Sequence, residues 1–420
     1  MKIVFHLFFV KKTVDNFEII IHHIKISTET FPQMYENAQK HRMVLDSFLS
    51  GMGTNVEQYA NHSQFLTFPQ LNNEQLFEIC SEVEALFSAE PSLLSVSSQC
   101  IIVGDLHGHV LDLLRILNHY GLPVSQKYLF VGDLVDRGEF SLEVVVIVFL
   151  MKIIWPKNVL LIRGNHEFSF MCNRCGFALE ISNLYNDVAV FDAFCKAFSV
   201  VPLGAIVDRK ILCIHGGIGP SIYSLQQILE LSRPIHDFGN EFIDSLLWSD
   251  PSDAIDTFNP SFRGMGYTFG KGAAKQFMES NGIDLIIRGH ECVKNGCTYS
   301  LDDKVLTVFS ASNYCGLVGN ESGIVIIKRT GELEMKRFPS LEYLKRADVF
   351  FQFNKGICKI KPVIKRINCS ESTSLIPKVR ISEPIRSLNH LQKSNVDIPK
   401  KVIPPSGEKP AKKRRNATLG

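Results

Sequence analysis

Nowhere does this 420-residue chain carry an apolar run of membrane-spanning length. A span needs about 20 such residues. The longest interior run, Val144 to Met151, stops at Lys152 and reads as a buried helix or strand. Bulk charge is also missing. Lys and Arg number 45 against 43 Asp and Glu, a net charge of +2, so the whole chain is not a polyanion binder. A disulfide framework is not expected, because the 11 cysteines are odd in number and scattered. That usage fits a reducing compartment. Cys172 and Cys175 form a Cys-x-x-Cys pair, but it lacks the second close pair of a structural zinc site, since Cys292 and Cys297 are too widely spaced. Met1 to Val10 is apolar, but it is short and no small-residue cleavage site follows, so a cleaved signal is the weaker reading. No internal repeat and no EF-hand-like or calmodulin-binding segment is evident.

What is present is a rhythm of short apolar strands. Asn72 is placed to cap a helix whose apolar face is Leu76, Ile79, Cys80, Val83 and Leu86. Strands are expected at Ile101–Val103, Leu129–Val131, Val159–Ile162, Ile211–Ile214, Leu285–Ile287, Val305–Phe309 and Ile324–Ile327. A helix over Leu111 to Leu117 follows the first. Most of these strands end in Gly or a short polar loop carrying Asp, Asn or His. This is the pattern of an α/β protein whose site lies at strand ends. Residues 1–42 read as an N-terminal extension, 43–348 as one catalytic domain and 349–420 as a tail. From 371 the tail is rich in Ser, Pro, Asn and Lys, and composition predicts disorder. It holds no candidate site residue. Its basic cluster Lys409 to Arg415 suits either a nuclear signal or a solvated charge run, so a cytoplasmic or nuclear location is expected.

Five loops carry the chemistry: Gly104-Asp105-Leu106-His107-Gly108, Gly132-Asp133-Leu134-Val135-Asp136-Arg137-Gly138, Arg163-Gly164-Asn165-His166-Glu167, His215-Gly216-Gly217 and Arg288-Gly289-His290-Glu291. Carboxylate, amide oxygen and imidazole are the ligands a hard or borderline divalent ion takes. Glycines let the backbone turn sharply and let phosphate come close. Any one fragment is more often a turn than a ligand. Five of them, each after a strand, are not independent accidents.

The ordered series, completed by Ser310-Ala311-Ser312-Asn313-Tyr314-Cys315-Gly316, resembles the PPP family of protein serine/threonine phosphatases, and its protein phosphatase 1 branch in length and order. The resemblance runs from about Met43 to Leu341 and includes Leu247-Trp248-Ser249-Asp250-Pro251. It implies a calcineurin-like metallophosphoesterase fold, with two central β-sheets packed as a sandwich and flanked by helices. It implies Asp105 and His107 on one metal, Asp133 bridging, and Asn165, His215 and His290 on the second. His166 would be the general acid, Asp136 the carboxylate that orients and charges it, Arg137 and Arg263 the phosphate clamps with Asn165, and Tyr314 a hydrogen-bonding residue at the mouth. The cofactor would be two divalent metal ions, manganese in vitro, with iron and zinc as alternatives. The reaction would be hydrolysis of phosphoserine and phosphothreonine by in-line attack of a metal-bound hydroxide. Partners would be phosphoprotein substrates and regulatory subunits, with no nucleic acid and no membrane.

There are departures. His109 stands where the family has glutamine, Phe262 precedes Arg263 where an acidic residue is usual, and Cys175 replaces a tyrosine. Gly289 and Glu291 flank His290 in a form nearer other PPP branches. Gly331 to Phe338 carries charges where the phosphatase 1 docking groove is apolar. Two rivals remain open, a dinucleoside polyphosphate hydrolase and a catalytically dead scaffold. Arg263 and the His215-Gly216-Gly217 loop speak against the first, and the complete ligand set against the second.

Overall fold

The computed structural model describes residues 20–21, 24–25, 30–353 and 356–358. The expected disorder from 371 and the basic cluster Lys409 to Arg415 lie outside these residues. In chain order the main helices, leaving aside the five-residue helices Val56–Ala60 and Leu225–Leu229, are α1 (Thr30–Phe48), α2 (Asn73–Ala89), α3 (Val110–Tyr120), α4 (Ser141–Ile154), α5 (Ser169–Cys175), α6 (Phe177–Tyr185), α7 (Val188–Ser199), α8 (Glu241–Trp248) and α9 (Lys271–Asn281). The main strands are β1 (Leu93–Val96), β2 (Cys100–Val103), β3 (Lys127–Phe130), β4 (Val159–Leu161), β5 (Gly204–Val207), β6 (Ile211–Ile214), β7 (Leu285–Arg288), β8 (Cys297–Ser300), β9 (Val305–Val308), β10 (Ser322–Ile327) and β11 (Leu333–Phe338).

These strands form two sheets. One has the order β11-β10-β2-β3-β4, the other β8-β9-β7-β6-β5-β1. Strands β2, β3 and β4 run parallel, as do β6, β7 and β9. Successive side chains of a strand face opposite ways. Cys100, Ile102, Leu129 and Leu160 from the first sheet therefore meet Ile211, Cys213, Leu285, Ile287 and Leu306 from the second in a dry inner layer. The alternate set, Ile101, Val103, Tyr128 and Phe130, packs under helices α2, α3, α4 and α7. Leu212, Ile214 and Ile286 pack with residues of α8 and α9. Burial on both faces explains why these strands read as continuous apolar runs. The sandwich expected from the sequence is the fold, and among the described residues no helix is long and apolar enough to cross a membrane.

Asn72 caps α2 as expected, in a reciprocal capping box with Gln75. One position of the apolar face differs: Phe87 is fully buried, while Leu86 is only half-buried. Val144 to Met151 is the core of α4, buried all round.

Ordered packing continues past the boundary expected at 348. Val349 and Phe351 are buried in the core, and Phe350–Phe353 pairs in parallel with Thr67–Pro69. At the other end, α1 runs across the boundary expected at 42/43 and buries Leu45 and Phe48. The C-terminal crossing is riveted by Arg346, whose side chain is 2% exposed. Its guanidinium donates to Glu143 at 2.5 Å, to Glu180 at 2.7 Å and to the Glu139 carbonyl at 2.9 Å. Glu180 in turn accepts the backbone N–H groups of Ser141 and Leu142 at the start of α4. Burial pushes the Glu180 carboxyl up to about 7 despite Arg346.

Replacing Arg346 with Met takes the guanidinium away from two buried carboxylates. The expected cost is about 3–5 kcal/mol in denaturant unfolding. The loss should grow as pH rises through about 7. Without Arg346 the folded state keeps on Glu180 a proton that the unfolded state has released, so raising pH works against folding. Unfolding midpoints that match the parent across this range would contradict the account.

Candidate active site

All the parallel strands of both sheets that carry motif loops end at one rim. Asp105 and His107 follow β2, Asp133 follows β3, Asn165 and His166 follow β4, His215 follows β6 and His290 follows β7. The loops turn so sharply there that several residues with side chains adopt positive φ: His107 at 43°, Asp133 at 52°, Asp136 at 71°, Arg137 at 73° and His290 at 67°. Such backbone costs of order 1–3 kcal/mol per residue and persists only where its surroundings over-determine it. Two glycines make the crowding possible. A Cβ at Gly164 or at Gly289 would overlap the Oδ1 of Asp133 or of Asp105, respectively.

Asp133 is the centre. One of its carboxylate oxygens lies 3.5 Å from His107 Nε2 and 3.3 Å from His215 Nε2. The far nitrogens of both rings bond backbone carbonyls, His107 Nδ1 to Val135 at 2.9 Å and His215 Nδ1 to Val131 at 2.8 Å. Asn165 Oδ1 sits 2.9 Å from His215 Nε2 and 3.0 Å from His290 Nδ1. Asp105 accepts the His290 N–H at 3.0 Å and stands 3.8 Å from His107 Nε2. All are buried.

This set fits two cations. Carboxylate oxygens, an amide oxygen and imidazole nitrogens converge on one small volume, and the outward nitrogens are tied so that the inward ones can present lone pairs. Two groups, His107 with Asp133 and His166, and Asp133 with His215 and His290, each place three ligand atoms within 4.8 Å of one another. Protonation points the same way. Burial opposes charge on His215, but Asp133 outweighs it and pushes the imidazole up to about 9. Burial likewise raises the Asp105 carboxyl to about 7, with Asp133 adding repulsion and His215 opposing it. Burial pushes His107 and His290 the other way, well below the ordinary imidazole value, which leaves them neutral as ligands must be.

Beside this cluster, His166 Nδ1 pairs with Asp136 at 2.7 Å, and the second oxygen of Asp136 accepts the Phe177 N–H at 2.8 Å. The His166 backbone N–H donates to Asp133 at 2.9 Å. Arg137, Arg263 and Tyr314 line the same cleft as His107, Asp133, Asn165, His166 and His290. The Nε of Arg137 is buried without a protein partner. The Tyr314 ring lies tilted against His107, ring centroids 5.2 Å apart. Thus every residue singled out in the sequence arrives at this rim.

Sequence reading missed the supports. Glu167 is wholly buried, and its two oxygens accept the N–H groups of Asp133, Gly164 and Leu134 at 2.9, 2.9 and 2.7 Å. Asp250 holds Arg263 Nε at 2.6 Å and also accepts from Arg288 at 2.9 Å. Arg263 is therefore oriented by Asp250, and Phe262, in the place of the usual acidic neighbour, is left exposed. The signal for both lay in the motifs, where Glu167 ends one quoted segment and Asp250 stands next to last in another. A sequence gives no sign of which carboxylates point inward.

A model of the calcineurin-like phosphoesterases matches residues 99–294, which contain Asp105 through His290. Residues 99–294 form a calcineurin-like phosphoesterase domain. A protein serine/threonine phosphatase from Saccharomyces cerevisiae, with similarity to the human phosphatase PP5, is 28% identical over 76% of this chain and 98% of its own, with a TM-score of 0.62. A cold-active protein-tyrosine phosphatase of a psychrophilic Shewanella species is 16% identical over 60% of this chain and 84% of its own, TM-score 0.45. A protein described as a diadenosine tetraphosphatase is 16% identical over 59% and 98%, TM-score 0.37. The protein is thus a hydrolytic phosphatase, similar in structure to a protein serine/threonine phosphatase of the kind its motif series resembles.

Glu167→Gln in this phosphoesterase would set an amide N–H₂ against backbone N–H groups that now meet a carboxylate. Outer supports of this kind are worth about 10–100-fold in metal affinity. Calorimetric titration of the metal-free protein with Mn²⁺ should show that loss. Affinity in the parent should rise with pH through the range from about 7 to about 9, as Asp105 and His215 give up the protons a cation must displace. Unchanged affinity in the variant would leave Glu167 a packing residue.

Proposed function

We propose that the phosphoesterase hydrolyses phosphoserine and phosphothreonine in proteins. The observation that carries this reading is a His–Asp pair and two arginines on one cleft above a six-residue oxygen and nitrogen cage. Asp105, His107 and Asp133 would hold one divalent ion, and Asp133, Asn165, His215 and His290 the other. When bound, such ions neutralise phosphoryl charge and make a nucleophile available from water near neutral pH. The yeast phosphatase of similar structure supports the serine/threonine assignment.

The chain's own groups do the rest. A phosphomonoester dianion entering the cleft meets the guanidinium of Arg137, whose Nε has no competing protein acceptor. It also meets Arg263, fixed on its far side by Asp250. Two guanidinium groups match a phosphoryl group bidentately, and Asn165 adds an amide at the same place. A serine or threonine alkoxide is a poor leaving group. His166 supplies its proton from the ring nitrogen opposite Nδ1, while Asp136 holds the ring in place. A positioned acid of this kind contributes about 10²–10⁴ in rate. The Tyr314 phenol, buried and kept protonated, can donate at the mouth.

Two measurements test the reading. Phosphoserine and phosphothreonine peptides should exceed phosphotyrosine peptides and dinucleoside polyphosphates in kcat/KM, and equal values for all would defeat it. His166→Asn should keep both metals, whereas Asp133→Asn should weaken both positions. The His166 variant should lose about 10²–10⁴ on alkyl phosphates and much less on activated aryl phosphates. Equal losses on both ester types would remove the acid role.

A further inference from the structure

We propose that Cys175, His166 and Asp136 form a third metal site, selective for a thiophilic divalent ion of the zinc class, whose occupation switches the phosphatase off. One ligand atom from each of these residues lies within 4.8 Å of the other two. The site rests on the preceding reading for its effect on turnover, but not for its existence.

The Cys-x-x-Cys pair splits its duties on α5. Cys172 is fully buried, and its thiol donates to the His166 carbonyl at 3.1 Å. Cys175, one turn on, is half-buried and reaches the ring side of the same histidine. Its backbone carbonyl accepts the Arg137 N–H at 3.2 Å. A thiol, an imidazole nitrogen and a carboxylate oxygen are a donor set for zinc, at about 2.3, 2.0–2.1 and 2.0–2.2 Å. Tetrahedral angles at those lengths separate sulfur from nitrogen by about 3.6 Å and nitrogen from oxygen by about 3.3 Å. His166 and Asp136, now 2.7 Å apart, need to open slightly, and the thiol needs to close in.

Both movements are available. Asp136 keeps its other oxygen on the Phe177 N–H at 2.8 Å while the bonded one turns. Cys175 is the last residue of α5. The next residue, Gly176, has φ +136°, and a Cβ there would meet only Arg137 N, at 3.8 Å. The thiol can close in by turning about its own side-chain bond, with the Cys175 carbonyl kept on the Arg137 N–H and the Gly176 carbonyl on the Glu180 N–H. Charge balances as well, since carboxylate and thiolate together match a divalent ion, although the nearby Arg137 opposes it.

Binding has a defined proton cost and a defined consequence. The thiol proton leaves to solvent, and the ion takes the place of the proton on His166 Nδ1. The ring then carries a single proton, on its other nitrogen, and giving that up would leave an imidazolate. It is a far weaker acid than an imidazolium held by Asp136. Ions already in the main cage need not leave, because Asp136 and Cys175 are not among its residues.

The test uses full-length protein loaded with Mn²⁺, under reducing conditions free of competing thiols. In the parent, Zn²⁺ should add one equivalent beyond the two Mn²⁺, counted by elemental mass spectrometry, and should suppress turnover of a phosphopeptide. Cd²⁺ as a probe should give a thiolate charge-transfer band in the ultraviolet. Cys175→Ser should keep basal turnover, lose the extra equivalent and the band, and need about 10-fold more Zn²⁺ for inhibition, the lower bound of a ligand-sphere loss. Equal zinc sensitivity in Cys175→Ser, or a cadmium band that survives there, overturns the proposal. If no phosphopeptide is turned over, the functional reading fails. The metal count and the band still decide the site.

Discussion

A single buried carboxylate organises this molecule. Asp133 sits between the ends of two sheets, with imidazoles from each sheet facing it at 3.3 and 3.5 Å. No burial of that kind is tolerable for an uncompensated charge. Everything around it supplies compensation: His107 and His215 with their outward nitrogens tied to carbonyls, the His166 N–H, and the Glu167 carboxylate gripping the backbone on both sides. Burial raises the Asp133 carboxyl, but His215 and its neighbours more than reverse that and hold it well below the ordinary carboxylate range. Glu167 moves the other way, raised by burial and by Asp133 itself. Two acids a few bonds apart are thus pushed in opposite senses, one to face cations and one to hold a loop.

The sandwich exists to make that arrangement stiff. Strands β2, β3 and β4 deliver three loops from one sheet, and β6 and β7 deliver two from the other. The dry layer of Ile102, Leu129, Cys213 and Ile287 fixes the distance between them. Interiors packed to this density do not deform continuously. The positive φ values of His107, Asp133, Asp136, Arg137 and His290 are the local expense of the design. They are tolerable because each loop is bonded to the next, as where Leu106 and His107 donate to the Asp133 carbonyl at 3.0 and 2.9 Å.

Much of this was legible in the sequence. The strands that feed the rim are buried on both faces, so Ile101 to Val103, Ile211 to Ile214 and Leu285 to Ile287 stand out as apolar runs. The strands that were not foreseen, β1, β5, β8 and β11, lie at or next to sheet edges and have mixed patterns. Leu333–Phe338 alternates half-buried and exposed residues, and Gly204–Val207 begins on a glycine. The site residues were legible because each motif is local. Glu167 and Asp250 were visible as letters but not as supports, since their partners Leu134 and Arg263 lie 33 and 13 positions away. Arg346 was invisible for the same reason, its partners lying 166 and 203 positions back.

That long reach ties Arg346 to the His–Asp pair of the cleft. Arg346 neutralises Glu180, Glu180 caps the first two N–H groups of α4, and the Ser141 hydroxyl at that same helix start accepts the Asp136 N–H at 3.1 Å. Asp136 then holds His166. The connection passes through three side chains and one helix terminus, each satisfied by the next. It explains why residues beyond 294, where the family match stops, still bear on the geometry of the cleft. The matched segment contains every proposed metal ligand, yet the His–Asp pair beside them is tied through Arg346 to a segment outside it, in which Val349 and Phe351 are buried and Phe350–Gln352 pairs with Thr67–Pro69.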